Sequence, residues 1–306
     1  PVNYDGQFRG PMSLRNALAQ SINIPAVKLF YLSGLVDSLK TSEDMGISTL
    51  TDVNRYGLTL VIGGGEVTLL DITSAYGVFA NDGKRNPYTG ILKIEDNAGR
   101  ILEEFTQDEK EILPKNTALM ISDILSDNTA RTPTFGANSS LVVSGHDVAA
   151  KTGTTNSNKD AWTIGYSPSI VVGVWAGNND NKPMKKGGSA LAGPIWNKFM
   201  KEALAKLPSD NFEEPDLYFD PAKYKPILRG LWQGNDSFVI DTVSGNLATE
   251  FTPEETRQEK VVTNVHTILY WINRDDVMGP PPTNPGSNPQ FYNWEVPVQN
   301  WWSQHM

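Results

Sequence analysis

The stretch that decides the fold runs from Val148 to Ala176: Val-Ala-Ala-Lys-Thr-Gly-Thr-Thr at 148–155, Ala-Trp-Thr-Ile-Gly-Tyr at 161–166 and Ile-Val-Val-Gly-Val-Trp-Ala at 170–176. Each run is rich in β-branched and aromatic residues, and the separators, Asn156-Ser157-Asn158-Lys159 and Ser167-Pro168-Ser169, are turn formers. Connections this short join antiparallel neighbours, because a parallel return needs a long crossover. The pattern predicts a three-stranded antiparallel meander. Gly193-Pro194 then opens a predicted helix that turns Ile195, Phe199, Met200 and Ala203 onto the sheet.

Upstream, Ser13 precedes Leu14, Ala17, Leu18 and Ser21 at i, i+3, i+4, i+7 spacing, which predicts a helix to about Gln20. Pro25 cannot donate an amide and disfavours helical dihedrals at the residue before it. A break is therefore expected at Ser21-Ile22-Asn23-Ile24, with a restart through Ala26, Val27, Leu29 and Phe30. Thr68 and Asp71 have capping-box spacing ahead of Ile72, Ala75, Tyr76 and Phe79, and Asn81-Asp82-Gly83 terminates that helix. Ile91–Glu95 and Ile101–Phe105 flank Asn97-Ala98-Gly99 as a hairpin, and Pro114 opens a helix through Leu119, Ile121, Ile124 and Leu125. Helices flanking an antiparallel sheet make the fold α+β.

Composition narrows the function. With 35 acidic and 26 basic side chains the 306-residue chain carries a formal charge of −9, and it has no run of Lys or Arg longer than a pair such as Lys185-Lys186. Such a surface repels a phosphate backbone, so no nucleic-acid partner is expected. No apolar run approaches the roughly 20 residues of a membrane helix. Without cysteine there is no disulfide framework, thiolate zinc site or thiol nucleophile, and His146, His266 and His305 are too scattered to predict a metal site.

The acidity is uneven: residues 1–206 hold 21 acidic and 20 basic side chains, residues 207–306 hold 14 and 6. The shift coincides with Leu207-Pro208-Ser209-Asp210-Asn211 and Glu213-Glu214-Pro215-Asp216, where turn formers and breakers cluster. Two regions are expected, 1–206 and an acidic C-terminal extension, 207–306. The extension carries Trp232, Trp271, Trp294, Trp301 and Trp302, five of the eight tryptophans, a strand and turn over Phe238–Asn246, and a Pro-rich segment, 279–289, expected to be irregular. The sequence opens on Pro1-Val2-Asn3-Tyr4 with no initiator Met and no apolar leader, so it is expected to be an excised piece with any targeting segment outside it.

Lys151-Thr152-Gly153-Thr154-Thr155 carries the chemistry. At about 6% usage per residue type this pentamer arises by chance about once in several thousand chains of this length. A strand ending this way offers a cation, hydroxyls and backbone amides along one groove wall, and Gly153 has no side chain to obstruct an extended ligand. The plainer reading makes Lys151 a solvated edge lysine and the threonines ordinary strand formers.

Lys-Thr-Gly is one of three elements shared by penicillin-binding proteins and class A β-lactamases. The fuller stretches, Ala149–Asn156 and Asp160–Pro168, resemble the transpeptidase domain of the bifunctional class A penicillin-binding proteins, as does the loop Gly177–Asn181 with Pro183-Met184. Thr163 stands where that family usually has Phe, a swap expected to trim an aromatic near the groove wall. The second element, Ser-x-Asn, matches at Ser21-Ile22-Asn23, Ser126-Asp127-Asn128, Ser209-Asp210-Asn211 and Ser244-Gly245-Asn246. Ser21-Ile22-Asn23 is preferred because it alone is expected between two helices and because Leu14–Gln20 and Ile24–Lys28 resemble the class A flanks. Ser126 is the alternative, and the plainer reading of Ser21 and Asn23 is helix capping. The third element, the nucleophile motif Ser-x-x-Lys, is absent: no serine here is followed by lysine three positions later. In the family that motif precedes Ser-x-Asn, so this sequence is expected to begin between the two.

The resemblance implies a penicillin-binding protein or serine β-lactamase-like fold, incomplete at its N-terminus, and a peptidoglycan D,D-transpeptidase activity. It assigns catalytic roles to Ser21, Asn23 and Lys151 and substrate binding to Thr152, Gly153, Thr154 and Thr155. No cofactor or metal is implied. Its partners would be peptidoglycan stem peptides, β-lactam antibiotics and an upstream glycosyltransferase domain. The location would be extracytoplasmic, anchored by an upstream segment. The chain by itself is expected to be inactive for want of the nucleophile. The tail's tryptophans are expected to pack on the transpeptidase domain rather than stack on sugars. Rival readings are a non-catalytic peptidoglycan-binding module and a D,D-carboxypeptidase or β-lactamase-like hydrolase.

Overall fold

The computed structural model describes residues 2–231, 237–261 and 265–305. The chain divides into two compact units, Val2 with Arg15–Leu217 and Asn3–Leu14 with Tyr218 onward. The acidic run after 207 stays with the first unit, where Phe212 packs edge-on against Tyr166 and Lys115 Nζ bonds Glu213 at 2.5 Å.

The first unit opens with α1 (Leu14–Ala19), α2 (Asn23–Ser33), α3 (Leu35–Asp44) and α4 (Leu69–Ala80). Thr68 caps α4 by accepting from the Asp71 amide at 3.0 Å. Four short strands follow: β1 (Lys84–Arg85), β2 (Lys93–Glu95), β3 (Ile101–Glu104) and β4 (Lys110–Glu111). They pair antiparallel as β1 with β4 and as the expected hairpin, β2 with β3. Then come α5 (Lys115–Ser126), α6 (Asn128–Phe135), β5 (Ala149–Thr154), β6 (Asp160–Ser167), β7 (Ile170–Gly177) and α7 (Gly188–Leu204). The main sheet is the predicted meander, antiparallel in the order β5-β6-β7, with β5 at an edge. Helices pack on both faces of the sheet, and with its antiparallel order they make the fold α+β.

Strand alternation sorts the side chains between those faces. On one, Ala149 and Tyr166 pack with Leu125, Tyr76, Phe79 and Val171 from the α4–α5 side. On the other, Ala150, Val172 and Val174 meet Trp196, Met200 and Leu204 of α7. Gly165 lets α7 approach: a Cβ there would lie 2.4 Å from the Trp196 ring.

Two helix boundaries differ from expectation. α7 starts at Gly188 rather than Gly193, and Pro194 lies within it. Ala190 and Pro194 are both exposed, so the Ala190 carbonyl that Pro194 cannot bond meets water instead of the core. The sheet-facing side chains are Ala192, Trp196, Met200 and Leu204, while Ile195 and Phe199 stay 56% and 55% exposed. α2 resumes at Asn23, with Pro25 inside its first turn, where an amide has no intrahelical acceptor to lose.

The second unit holds an antiparallel ladder of β8 (Ser237–Asp241) and β9 (Arg257–Val261), then α8 (Ile268–Trp271) and α9 (Phe291–His305). Across 279–289 the one regular piece is a 3-10 turn, Pro285–Ser287. Trp271 and Trp294 are buried with Leu269, Ile272, Phe291 and Val298, all from this unit. The Trp301 ring lies over Gly10, whose φ is +69° and where a Cβ would sit 2.3 Å from it. Trp271 packs its ring against His266 and Tyr270 of the tail itself, whereas Trp301 lies over Gly10, a residue of the 1–206 region. Trp232 lies outside the described residues. Glu295 accepts from the Thr267 amide at 2.9 Å and meets His266 Nδ1 at 2.5 Å, tying α9 to the start of α8. Among the described residues no helix is long and apolar enough to cross a membrane.

Candidate active site

Ser21 ends α1 in a tight reversal. Its φ is +59°, its amide donates to Leu18 O at 3.1 Å, and the Ile22 amide donates to Ala17 O at 2.9 Å. That pair of bonds is a Schellman closure, whose left-handed position usually belongs to glycine. A serine held there carries about 1–2 kcal/mol of backbone strain, the kind of residue that clusters at functional sites. Arg15 braces the corner from α1 through ion pairs with Asp123 and with Asp127 at 3.1 Å, at the junction of α5 and α6.

From the edge strand, Lys151 Nζ donates to Ser21 Oγ at 2.6 Å and to Thr152 O at 2.9 Å. The two residues are 130 apart in the chain. Burial pushes the Lys151 ammonium down from 10.5 to about 8, because no carboxylate offsets its lost hydration. This is not a solvated edge lysine. Near neutral pH roughly a tenth of such lysines are free amine, able to take a hydroxyl proton, and the rest can return one.

The other predicted residues fall as follows. Asn23 is the first residue of α2, and its Nδ2 donates to Val2 O at 3.0 Å. Ile22 is the N-cap of α2 and makes no side-chain cap bond; Ser21 closes α1 through its backbone, which leaves its hydroxyl for Lys151. Gly153 shares the Lys151 face, while Thr152 and Thr154 point to the α7 face. The exposed Thr154 hydroxyl accepts from the Gly188 amide at 2.8 Å, the first residue of α7, which leaves its own proton free to donate outward. Thr155 Oγ1 donates to Asp160 Oδ2 at 2.9 Å and accepts from the Asp160 amide at 2.8 Å, closing the turn after β5.

Two expectations are corrected. Thr163 pairs with Thr152, is fully buried on the α7 face, and has a hydroxyl without a partner among the described residues. A Phe-to-Thr difference there alters the sheet–α7 layer and leaves the groove wall untouched. Ser126-Asp127-Asn128 also lies between two helices, α5 and α6, so that criterion does not single out Ser21. Ser126 Oγ donates to Asp123 O at 3.3 Å, whereas Lys151 reaches Ser21.

Sequence reading missed Arg15, Gly188 and Asp160. Gly188 is required by a tertiary contact: a Cβ there would lie 2.3 Å from Gly153 O, so only glycine lets α7 begin beneath the Lys-Thr-Gly strand. No local signal marks Arg15, whose partners lie more than 100 residues away.

Comparison with known proteins gives the family. Residues 2–201 match the penicillin binding protein transpeptidase domain. The chain belongs to the penicillin-binding protein transpeptidase family. Within it the relatives are of class A. The chain is 38% identical over 221 residues to penicillin-binding protein 1A of Aquifex aeolicus, covering 70% of this chain and 29% of that one. It is 32% identical over 232 residues to penicillin-binding protein 1A/1B of Bacillus subtilis, covering 70% and 25%. The chain therefore spans less than a third of the length of either relative. Among solved structures, PonA1 from Mycobacterium tuberculosis in complex with penicillin V is similar at a TM-score of 0.61 and 28% identity, over 70% of this chain and 62% of that one. Penicillin-binding protein 1A from Haemophilus influenzae shares the fold over 93% of this chain and 42% of its own, at a TM-score of 0.61 and 23% identity.

Proposed function

We propose that this chain supplies most of the acyl-transfer groove of an extracytoplasmic peptidoglycan D,D-transpeptidase whose nucleophile, a serine of a Ser-x-x-Lys segment, is contributed from outside it. The observation that carries this reading is the 2.6 Å bond between Lys151 Nζ and Ser21 Oγ. In the reaction, the serine oxygen bonds to the carbonyl carbon of the penultimate D-Ala of a stem peptide. The amide C–N bond breaks, and the terminal D-Ala leaves with a proton delivered through Ser21. An amine of a neighbouring stem then attacks the ester, the C–O bond to serine breaks, and the amine's proton returns to the serine oxygen by the same route. A β-lactam acylates the same serine by opening its ring.

Lys151 supplies positive potential for the ligand carboxylate and exchanges protons with Ser21, as its lowered pKa allows. The exposed Thr154 hydroxyl, its acceptor side already satisfied by Gly188, hydrogen-bonds that carboxylate from the end of the edge strand, whereas Thr152 points to the α7 face. Asn23 holds a substrate amide. The Thr154 amide is half of an oxyanion hole, completed by the nucleophile's own amide. An upstream glycosyltransferase domain and membrane anchor fit the greater length of the class A relatives.

Fluorescent penicillin tests this directly. The 306-residue chain should not be labelled, and a longer chain carrying Ser-x-x-Lys ahead of residue 1 should be. In that longer chain Lys151→Ala should cut labelling strongly and Ser126→Ala should leave it near wild type. Labelling of the short chain refutes its inactivity, and a longer natural sequence without Ser-x-x-Lys favours a non-catalytic peptidoglycan-binding module. Rapid loss of the acyl group to water, without transfer to an amine, favours a hydrolase.

A further inference from the structure

The sheet face that carries Lys151 is built of cross-strand rows. In the first row Ala149, Tyr166 and Val171 are covered by Tyr76, Phe79 and Leu125. In the next, Lys151 pairs with Ile164 and Ile164 with Gly173, and α4 closes over the far end, where a Cβ on Gly173 would collide with Thr73 and Leu69. The third row is Gly153–Trp162–Trp175, in which Trp162 is half-buried. Trp175 is 38% exposed, and the ring partner of Trp162 among the described residues is Trp175, at 6.4 Å between centroids.

The rings are held in place. Trp175 Nε1 donates to Asp160 Oδ1 at 2.9 Å, and Asp160 is itself bonded to Thr155, the last residue of the Lys-Thr-Gly-Thr-Thr run. Gly177 keeps the space beside Trp175 open, since a Cβ there would lie 2.5 Å from the ring. At the near end of the row Gly153 leaves a notch: its absent Cβ would sit 3.3 Å from Trp162 Cβ and 3.8 Å from Cδ1. A group opposite a residue across a β-ladder lies on that residue's own face, with Cβ atoms about 5 Å apart. A ligand lying along the free edge of β5 therefore presents whatever stands opposite Gly153 to this notch and to Trp162 behind it.

We propose that Gly153, Trp162 and Trp175 form a specificity subsite of the groove, which receives a flat apolar or aromatic acyl substituent of the ligand whose carbonyl reacts. Trp162 supplies the contact surface. Trp175, clamped by Asp160 and Thr155, positions Trp162. The inference rests on reading the Ser21–Lys151 groove as an acyl-transfer site, and it adds which part of the ligand the site discriminates.

The test compares two probes in the longer chain carrying Ser-x-x-Lys: benzylpenicillin, with a phenylacetyl group, and 6-aminopenicillanic acid, with none. The readout is the ratio of their second-order acylation rate constants. Trp162→Ala should lower the benzylpenicillin preference about tenfold, the worth of one aromatic contact, and Trp162→Phe should restore most of it. Asp160→Asn, which removes the carboxylate clamp, should lower the ratio by a smaller factor. General damage to the fold slows both probes alike, so an unchanged ratio in Trp162→Ala overturns the proposal. If that variant does not fold, Trp162→Leu carries the same test. If neither probe acylates the wild-type longer chain, the acyl-transfer reading itself fails, a result distinct from an unchanged ratio.

Discussion

Replacing Lys151 with Met separates what the groove costs the fold from what it contributes. Met keeps most of the side-chain volume and removes the amine. In the folded chain the Lys151 ammonium is held down to about 8, against 10.5 for an unburied lysine, with burial as the cause. Below pH 8 the side chain is protonated in both states, and the folded state bears the whole penalty, roughly 3 kcal/mol at 1.36 kcal/mol per tenfold. Between pH 8 and 10.5 the unfolded chain keeps its proton and the folded chain has released it. Unfolding then takes up a proton, so this group's contribution to stability rises with pH. At pH 10 the remaining penalty is about 1 kcal/mol.

Met carries no such penalty at any pH. It also forfeits the bonds to Ser21 Oγ and Thr152 O, a loss of about 1–3 kcal/mol that depends little on pH. The quantity to measure is therefore a double difference: the stability of Lys151→Met minus wild type at pH 7, less the same at pH 10. Urea unfolding followed by tryptophan fluorescence should give about +2 kcal/mol, the variant being relatively more stable at pH 7. Lysine 13Cε titration by NMR should find two resonances with midpoints near 8, from the buried Lys28 and Lys151, of which Lys151→Met removes one. A double difference near zero, or a Lys151 midpoint with the bulk lysines, refutes both the burial argument and the proton-exchange role built on it.

Other substitutions probe the supporting structure. Ser21→Gly should be about 1 kcal/mol more stable than Ser21→Ala in chemical denaturation, since both lose the hydroxyl and only glycine relieves the positive φ. Equal stabilities would mean the Schellman corner stores no strain. Gly165→Ala places a Cβ 2.4 Å from the Trp196 ring and 2.7 Å from Ala149 O, and should cost about 1–3 kcal/mol or more, read as a lowered urea midpoint. Thr68→Ala removes the cap on α4 and should cost about 1 kcal/mol, while Thr68→Ser should recover most of it.

Several features are legible in the chain because their causes are local. The capped start of α4, the β2–β3 hairpin and the close-spaced strands of the meander each depend on residues within a few positions of one another. Boundaries set by tertiary contact were not legible. α7 begins six residues before its proline because the Gly188 amide bonds to Thr154, and its buried face is chosen by Gly165, where Trp196 fits. The aromatic composition of the tail marked its tryptophans for burial, but that Trp271 meets His266 and Tyr270 while Trp301 meets Gly10 is decided by packing.

The same division holds at the site. Sequence alone identified the Lys-Thr-Gly strand, because five specific residues in a row exceed chance, and among four Ser-x-Asn matches it preferred Ser21-Ile22-Asn23 on its flanking residues. Only the tertiary structure put one of them, Ser21, against Lys151, and sent Thr163 away from the groove while leaving Trp162 on its face. The physical reason is range and parity. A three-residue motif carries no record of what lies 130 residues along the chain, and side chains one position apart on a strand serve opposite faces of the sheet.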